Sequence, residues 1–279
     1  MLSYQHGFHA GNFADLHKHL VLTLLLDSLN RKAKPWSYLE THSGRALYDL
    51  DDAQAQKTGE YRQGIARVWE TEWPEPLRLY LEQVKRVNSG GALQHYPGSP
   101  TIAAGMARDD DRIRLMELHP TEVEALRCVF ERDARVAVHH RDGYEGVGAL
   151  LPPTPRRGMV LIDPSYEVKE EYAQVVRFLA KAQRRWPTGI FAIWYPLLAA
   201  NRWQGLIEGV KAEAQGAVLR SELKVAPEDS GGMYGAGMLV VNPPWQLDQQ
   251  LEQAVPLLAQ GLGCDTPGSV LCEWVVAPE

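Results

Sequence analysis

The stretch GMVLIDPSYE occupies residues 158–167. Its first half is a short apolar run opened by Gly158, and it stops at Asp163 followed at once by Pro164. Such a run, bounded by turn residues, reads as a strand buried on both faces. Pro164 has no backbone N–H to extend the ladder, so Asp163 stands at the strand's carboxyl end.

Comparable runs lie on either side. WSYLETHSG (36–44), RIRLMELHP (112–120) and ARVAVHHRDGY (134–144) precede it, and GIFAIWYP (189–196), VLRSELKVA (218–226) and GMLVVNPPW (237–245) follow. Helical stretches such as 121–132 and 168–185 fall between them. Strands alternating with helices predict an α/β domain, here seven strands in a mostly parallel sheet wrapped on both faces. Only the Gly-rich EDSGGMYGAG separates the last two runs. That is too short for a helical crossover, so this pair is expected to be antiparallel. After the first strand comes a surplus over 50–111, helical in GIARVWETEW and PLRLYLEQVKRV. It reads as a small insertion within a single domain spanning 1–279. Arg62, Arg67, Lys85 and Arg86 make it a candidate RNA-binding element, apart from its Ser99 end, which faces the ligand crevice.

The bulk numbers exclude several classes. A chain of 279 residues with 45% apolar and 23% charged residues can bury a sizeable core. The formal charge of −6 argues against a nucleic-acid coat protein, although a local basic patch can act inside an acidic whole. Three cysteines, Cys128, Cys264 and Cys272, form no CxxC pair, which fits a reducing compartment. No signal-peptide pattern opens the sequence, and no apolar run nears the ~20 residues of a membrane helix. A cytoplasmic location is expected.

Acids close the successive strands. E-T-H-S-G-R-A (40–46) sits where the first strand turns into a helix. It is not the dinucleotide G-x-G-x-x-G fingerprint. It has the form acid-x-(Gly/His)-x-Gly of turns that cradle S-adenosylmethionine, with Gly44 allowing close approach of backbone to ligand. Glu117 ends the second strand, where a carboxylate can accept both ribose hydroxyls. Asp142-Gly143 ends the third, where an adenine edge can be held. One such acid alone would read as a helix cap. Several at one sheet edge line a common crevice.

Two strand exits compete for the chemistry. Asn242-Pro243-Pro244-Trp245 is the more regular version of a tetrad that holds an exocyclic amine; Asp163-Pro164-Ser165-Tyr166 lacks its second Pro. In parallel sheets, however, reacting groups gather at the carboxyl ends of central strands. That favours Asp163, beside the first strand, and makes 242–245 a Pro-rich exit with a packed Trp. The Asp163 carboxylate and the Pro164 carbonyl can accept the two hydrogens of an adenine N6 amine and orient its lone pair. Tyr166 can stack on an extruded base.

Four of the nine histidines fall in YQHGFHAGNFADLHKH (4–19). His17 and His19, two apart, face different sides of a helix, and no cysteine assists, so no metal is expected. The His-rich start reads instead as a lid or substrate arm, residues 1–35 forming an N-terminal arm and helix that contribute to the active site, with Lys18 able to reach a phosphate or carboxylate.

These motifs together resemble the RlmJ family of 23S ribosomal RNA adenine-N6 methyltransferases. The resemblance rests on Y-x-H-x-F-H-A-G-N-x-A-D-x-x-K-H at 4–19, the T-H-x-G turn, T-G-E-Y at 58–61 and Y-P-G-S-P at 96–100. It continues through E-L-H-P at 117–120, D-G at 142–143, I-D-P-x-Y at 162–166, W-Y-P at 194–196 and N-P-P-W at 242–245. It implies a Rossmann-like, seven-stranded methyltransferase sheet with a small helical insertion. The implied cofactor is S-adenosylmethionine, held by His19, His42, Gly44, Ser99, Glu117, Asp142, Gly143 and Asp163. The implied catalytic set is Asp163 with Pro164, Tyr166, Tyr4, His6 and Lys18, and Tyr4 and Tyr166 meet the RNA. The implied partner is 23S ribosomal RNA; a membrane and an obligate protein partner are not implied, and a monomer is expected. Ala46 and Ser165 depart from the family pattern, Ala46 harmlessly if its φ is negative. Other exocyclic amines (guanine N2, cytosine N4, a DNA adenine) and a catalytically weakened RNA-binding module are the alternatives.

Overall fold

The computed structural model describes residues 4–278. Its strands are β1 (Ser37–Glu40), β2 (Leu47–Asp49), β3 (His95–Pro97), β4 (Arg112–Glu117), β5 (Val136–His140), β6 (Gly158–Ile162), β7 (Ile190–Leu198), β8 (Val218–Lys224), β9 (Met233–Val241) and β10 (Val270–Val276). Eight form one sheet in the order β10-β8-β9-β7-β6-β1-β4-β5, and β2 pairs with β3 in a separate hairpin. The seven expected strands are all present; β10 is the addition. It runs antiparallel on the free edge of β8, half-exposed along its length, and its V-L-C-E-W-V-V is apolar but for Glu273. A run this rich in β-branched and aromatic residues after Thr266-Pro267-Gly268 is itself a strand signal, one that the seven-strand reading leaves out.

The strands β5, β4, β1, β6 and β7 are mutually parallel. β9 runs antiparallel to both β7 and β8, as the short Gly-rich connection requires. The chain order reverses between β1 and β6, which makes their carboxyl ends a topological switch point. Gly158 opens β6 at φ 149°, and a Cβ there would stand 1.8 Å from the Ser37 carbonyl oxygen. Only glycine lets β6 start this close to β1.

The N-terminal segment divides in two. Residues 4–12 form an arm containing a short 3-10 turn, His6–Phe8. Asn12 then caps the helix Phe13–Asn30 by accepting from the backbone N–H of Ala14 and Asp15. Leu16, Leu20, Leu22 and Leu24 of this helix are fully buried. Burial of each such side chain is worth roughly 1.5–3 kcal/mol, so the helix is core rather than a lid. His17 and His19 diverge as expected: Nε2 of His17 meets Ser221 Oγ at 2.9 Å in β8, and His19 Nδ1 meets Tyr96 Oη at 2.8 Å in β3.

Between β1 and β4 lie the β2–β3 hairpin and the helices Ala53–Thr58, Ile65–Val68, Leu77–Arg86 and Ser99–Met106. The turn after β1 leads into β2, not into the expected helix, and Ala46 at its end has φ 68°, so the condition under which it would be harmless is not met. Its carbonyl accepts from Gly98 N–H at 2.6 Å and Thr101 Oγ1 at 2.7 Å. The left-handed turn costs a non-glycine residue about 1–2 kcal/mol and is held by these bonds. No helix among the described residues is long and apolar enough to cross a membrane.

Candidate active site

A cavity of about 420 Å³ opens at the switch point, lined by residues from the arm, the helix Phe13–Asn30 and the carboxyl ends of β1, β4, β5, β6 and β7. Tyr4, His6, Lys18, His19, His42, Gly44, Ser99, Glu117, Asp142, Gly143, Asp163 and Pro164 all contribute to its wall. Positions spread over 160 residues of sequence thus converge on one site. Tyr166 does not. It is 7% exposed, adopts φ 55°, stacks near Tyr172 and donates its hydroxyl to the Trp194 carbonyl at 2.8 Å. Its ring packs between Tyr172 and Trp194, and of these Trp194 lines the cavity.

A chain of polar contacts connects the arm to Asp163. Tyr4 Oη lies 2.9 Å from His6 Nδ1, and His6 Nε2 donates to Asp15 Oδ2 at 2.8 Å. Lys18 Nζ bridges Asp15 Oδ1 at 3.0 Å and Asp163 Oδ2 at 2.6 Å. The side chains of Lys18, Asp15 and Asp163 are 6%, 1% and 15% exposed, so these pairs are little screened by solvent. Burial alone would lower the lysine's affinity for its proton, but the Asp163 and Asp15 charges prevail and hold it above the usual lysine value. Burial likewise raises Asp15, yet His6 and Lys18 keep its carboxyl well below the ordinary range. Asp15 carries no role in the sequence motifs taken alone. Its i, i+3 spacing to Lys18 on a helix was the available signal.

The cofactor side is built from backbone and carboxylates. Gly44 has φ 60°, and its N–H donates to Glu117 Oε2 at 2.8 Å. Glu117 Oε1 accepts from His119 N–H at 2.7 Å, so each oxygen keeps a second lone pair for a ligand hydroxyl. Burial raises the Glu117 pKa above the usual glutamate value. Asp142 caps the helix Gly143–Leu150 by accepting from Glu145 N–H at 2.9 Å. A Cβ on Gly143 would stand 1.9 Å from the Thr41 carbonyl oxygen, which draws the starts of two loops together. Ser99 Oγ, at the head of the helix Ser99–Met106, bonds Glu40 Oε1, and burial pushes the Glu40 carboxyl up to about 8. Burial also pushes the His42 imidazole down to about 4; its Nδ1 contacts Thr41 Oγ1 at 2.8 Å and its ring meets the edge of Tyr144. These acceptors and close-approach glycines fit an adenosine with a charged amino-acid tail. Among the described residues no group of three or more His, Cys, Asp or Glu is arranged to hold a metal.

The second tetrad lies elsewhere. Val241, the end of β9, pairs with Phe191, near the start of β7. Asn242 therefore leaves the sheet at the edge where the parallel strands begin, opposite to Asp163. Its Nδ2 donates to the carbonyls of Pro187 and Gly189, both at 2.8 Å. The expected packing of Trp245 is corrected: the ring is 82% exposed.

A parallel sheet with a reversed chain order, acids at the ends of β1, β4, β5 and β6 and an Asp-Pro turn against the cavity define an S-adenosylmethionine-dependent methyltransferase. Comparison with known proteins gives the family. The model described as "Ribosomal RNA large subunit methyltransferase D, RlmJ" matches residues 33–276, and the chain belongs to that family. It is 43% identical to Ribosomal RNA large subunit methyltransferase J of Escherichia coli and 44% identical to that of Haemophilus influenzae, over 99% of each chain. A solved structure from Legionella pneumophila is similar at TM-score 0.87 and 38% identity, covering 95% of this chain and 97% of that one.

Proposed function

We propose that the protein transfers a methyl group from S-adenosylmethionine to the N6 amine of an adenine in 23S ribosomal RNA. The observation that carries the reading is Asp163, at the end of β6, paired through one oxygen with Lys18 in a buried contact. With Oδ2 engaged, Oδ1 remains for an amine N–H, and the Pro164 carbonyl accepts the second. The two acceptors aim the nitrogen's lone pair at the incoming carbon. The cofactor supplies an electrophilic methyl on a sulfonium, already a good leaving group. Asp163 takes the proton that the amine must lose, and position and electrostatics do the remainder.

His6 and Asp15 hold Lys18 in place, and the half-exposed Tyr4, stacked on His9, is suited to meet RNA at the cavity mouth. Trp194, with Pro196 and Met233 nearby on the same wall, offers the base an apolar surface. His19, His42, Gly44, Ser99, Glu117, Asp142 and Gly143 are assigned to the cofactor. The test is transfer of labelled methyl to unmodified 23S RNA, followed by digestion to nucleosides. Label in N6-methyladenosine is expected. Label in a methylated guanine or cytosine would redirect the acceptor, and RNA binding with no label would leave an RNA-binding module.

A further inference from the structure

Two tyrosine hydroxyls join the insertion to the cofactor side of the cavity. Tyr80 lies on the helix Leu77–Arg86 and Tyr96 on β3, and both are fully buried. Their hydroxyl oxygens are 2.9 Å apart, and Tyr96 Oη is 2.8 Å from His19 Nδ1. His19 is 1% exposed and lines the cavity, and its Nε2 has no hydrogen-bond partner among the described residues.

The direction of the hydrogen bonds follows from counting donors. If His19 carried its proton on Nδ1, it would donate to Tyr96 and Tyr96 would donate to Tyr80. The Tyr80 proton would then be buried with no acceptor. In the opposite sense Tyr80 donates to Tyr96 and Tyr96 donates to Nδ1. The donor left over is His19 Nε2–H, at the cavity wall. Each arrangement leaves one buried donor over, at a cost of about 1–3 kcal/mol, but only in the second does that donor, His19 Nε2–H, line the cavity, where a bound anion can accept it, and this decides for the second. Burial also pushes the imidazole down to about 3, so the ring is neutral and has a single N–H to place.

We propose that Tyr80 and Tyr96 are positioning residues that lock His19 in its Nε2–H tautomer, so that it donates to the carboxylate of the cofactor's methionine end. This rests on the assignment of His19 to the cofactor made above. Glu117, Asp142 and Gly143 suit the adenosine end. His19, Gly98 and Ser99 line the same cavity at the start of the helix Ser99–Met106. A helix N-terminus and a neutral N–H donor both favour an anion, and the carboxylate is the cofactor's only anionic group. The other tautomer would turn a lone pair toward that carboxylate. The insertion then acts on cofactor binding well beyond its Ser99 end. Its basic residues are partly committed to structure, Arg67 donating to the Leu262 carbonyl and Arg86 to that of Gly105.

Tyr96→Phe removes only the hydroxyl that fixes Nδ1. Calorimetry should show S-adenosylmethionine binding weakened about tenfold. The affinity for 5′-methylthioadenosine, which lacks the amino-acid part, should stay at the wild-type value. The double variant Tyr80→Phe/Tyr96→Phe leaves no orphaned hydroxyl and should show the same selective loss. Two-bond 1H–15N correlation of labelled histidine should report the Nε2–H form of His19 in the wild type and a tautomer mixture in Tyr96→Phe. An Nδ1–H form in the wild type, undiminished S-adenosylmethionine affinity in the variants, or equal weakening of both ligands would overturn the proposal. A wild-type protein that binds no S-adenosylmethionine would instead overturn the functional assignment.

Discussion

Asp163 and Asn242 each end an apolar strand and each precede a proline, yet they lie at opposite edges of one sheet. β6 is parallel to its neighbours, so its exit faces the cavity with four other strand ends. β9 is antiparallel, so its exit faces away. Asp163 is paired with a buried lysine and lines the cavity; Asn242 ties down the backbone just before β7. The more regular motif thus ties backbone together at the far edge of the sheet, and the irregular one lines the cavity. Strand direction, which a local motif does not encode, separates the two roles.

The largest expected effect falls on Asp163. Asp163→Ala should slow single-turnover methyl transfer by ~10²–10³ or more, by analogy with deleting one preorganised partner of a transition state, while calorimetry still detects cofactor binding. An Asp163→Ala protein with full activity beside an inactive Asn242→Ala protein would invert the comparison. Asn242→Ala should keep its activity and lose about 1–3 kcal/mol of stability in denaturant unfolding, one modest term for each of its two backbone bonds.

A pH-dependent effect, small near neutrality, tests the antiparallel half. Burial pushes His17, held against Ser221, down to about 3. The unfolded chain therefore gains a proton below pH ~6.5 that the folded chain refuses, and stability falls as the solution is acidified toward the folded value. His17→Gln should remove that loss. The wild-type advantage over the variant should shrink by ~1.4 kcal/mol per pH unit below 6.5, measured by urea unfolding at several pH values. A constant difference would place the titration elsewhere. The smallest effect belongs to the exposed ring of the distant tetrad. Trp245→Ala should alter stability by no more than ~0.5 kcal/mol and leave methyl transfer unchanged. A clear loss of activity would bring that edge of the sheet into the function.

The sequence by itself determined the parallel α/β architecture, the antiparallel final pair, the acids at the strand ends and the preference for Asp163 over Asn242. All of these follow from local patterns: apolar runs, their spacing, and residues such as proline and glycine whose backbone demands are intrinsic. The tertiary structure alone decided the rest. β10 takes its place on the free edge of the sheet through its pairing with β8. Ala46 takes a left-handed φ because two bonds to its carbonyl hold it there. Tyr166 turns inward because Trp194 offers its hydroxyl a carbonyl. Lys18 meets Asp163 across 145 positions, and His19 meets Tyr96 across 77. A side chain's partner, protonation and facing depend on which distant groups are packed against it and how far water is excluded, and neither is written in the residues beside it.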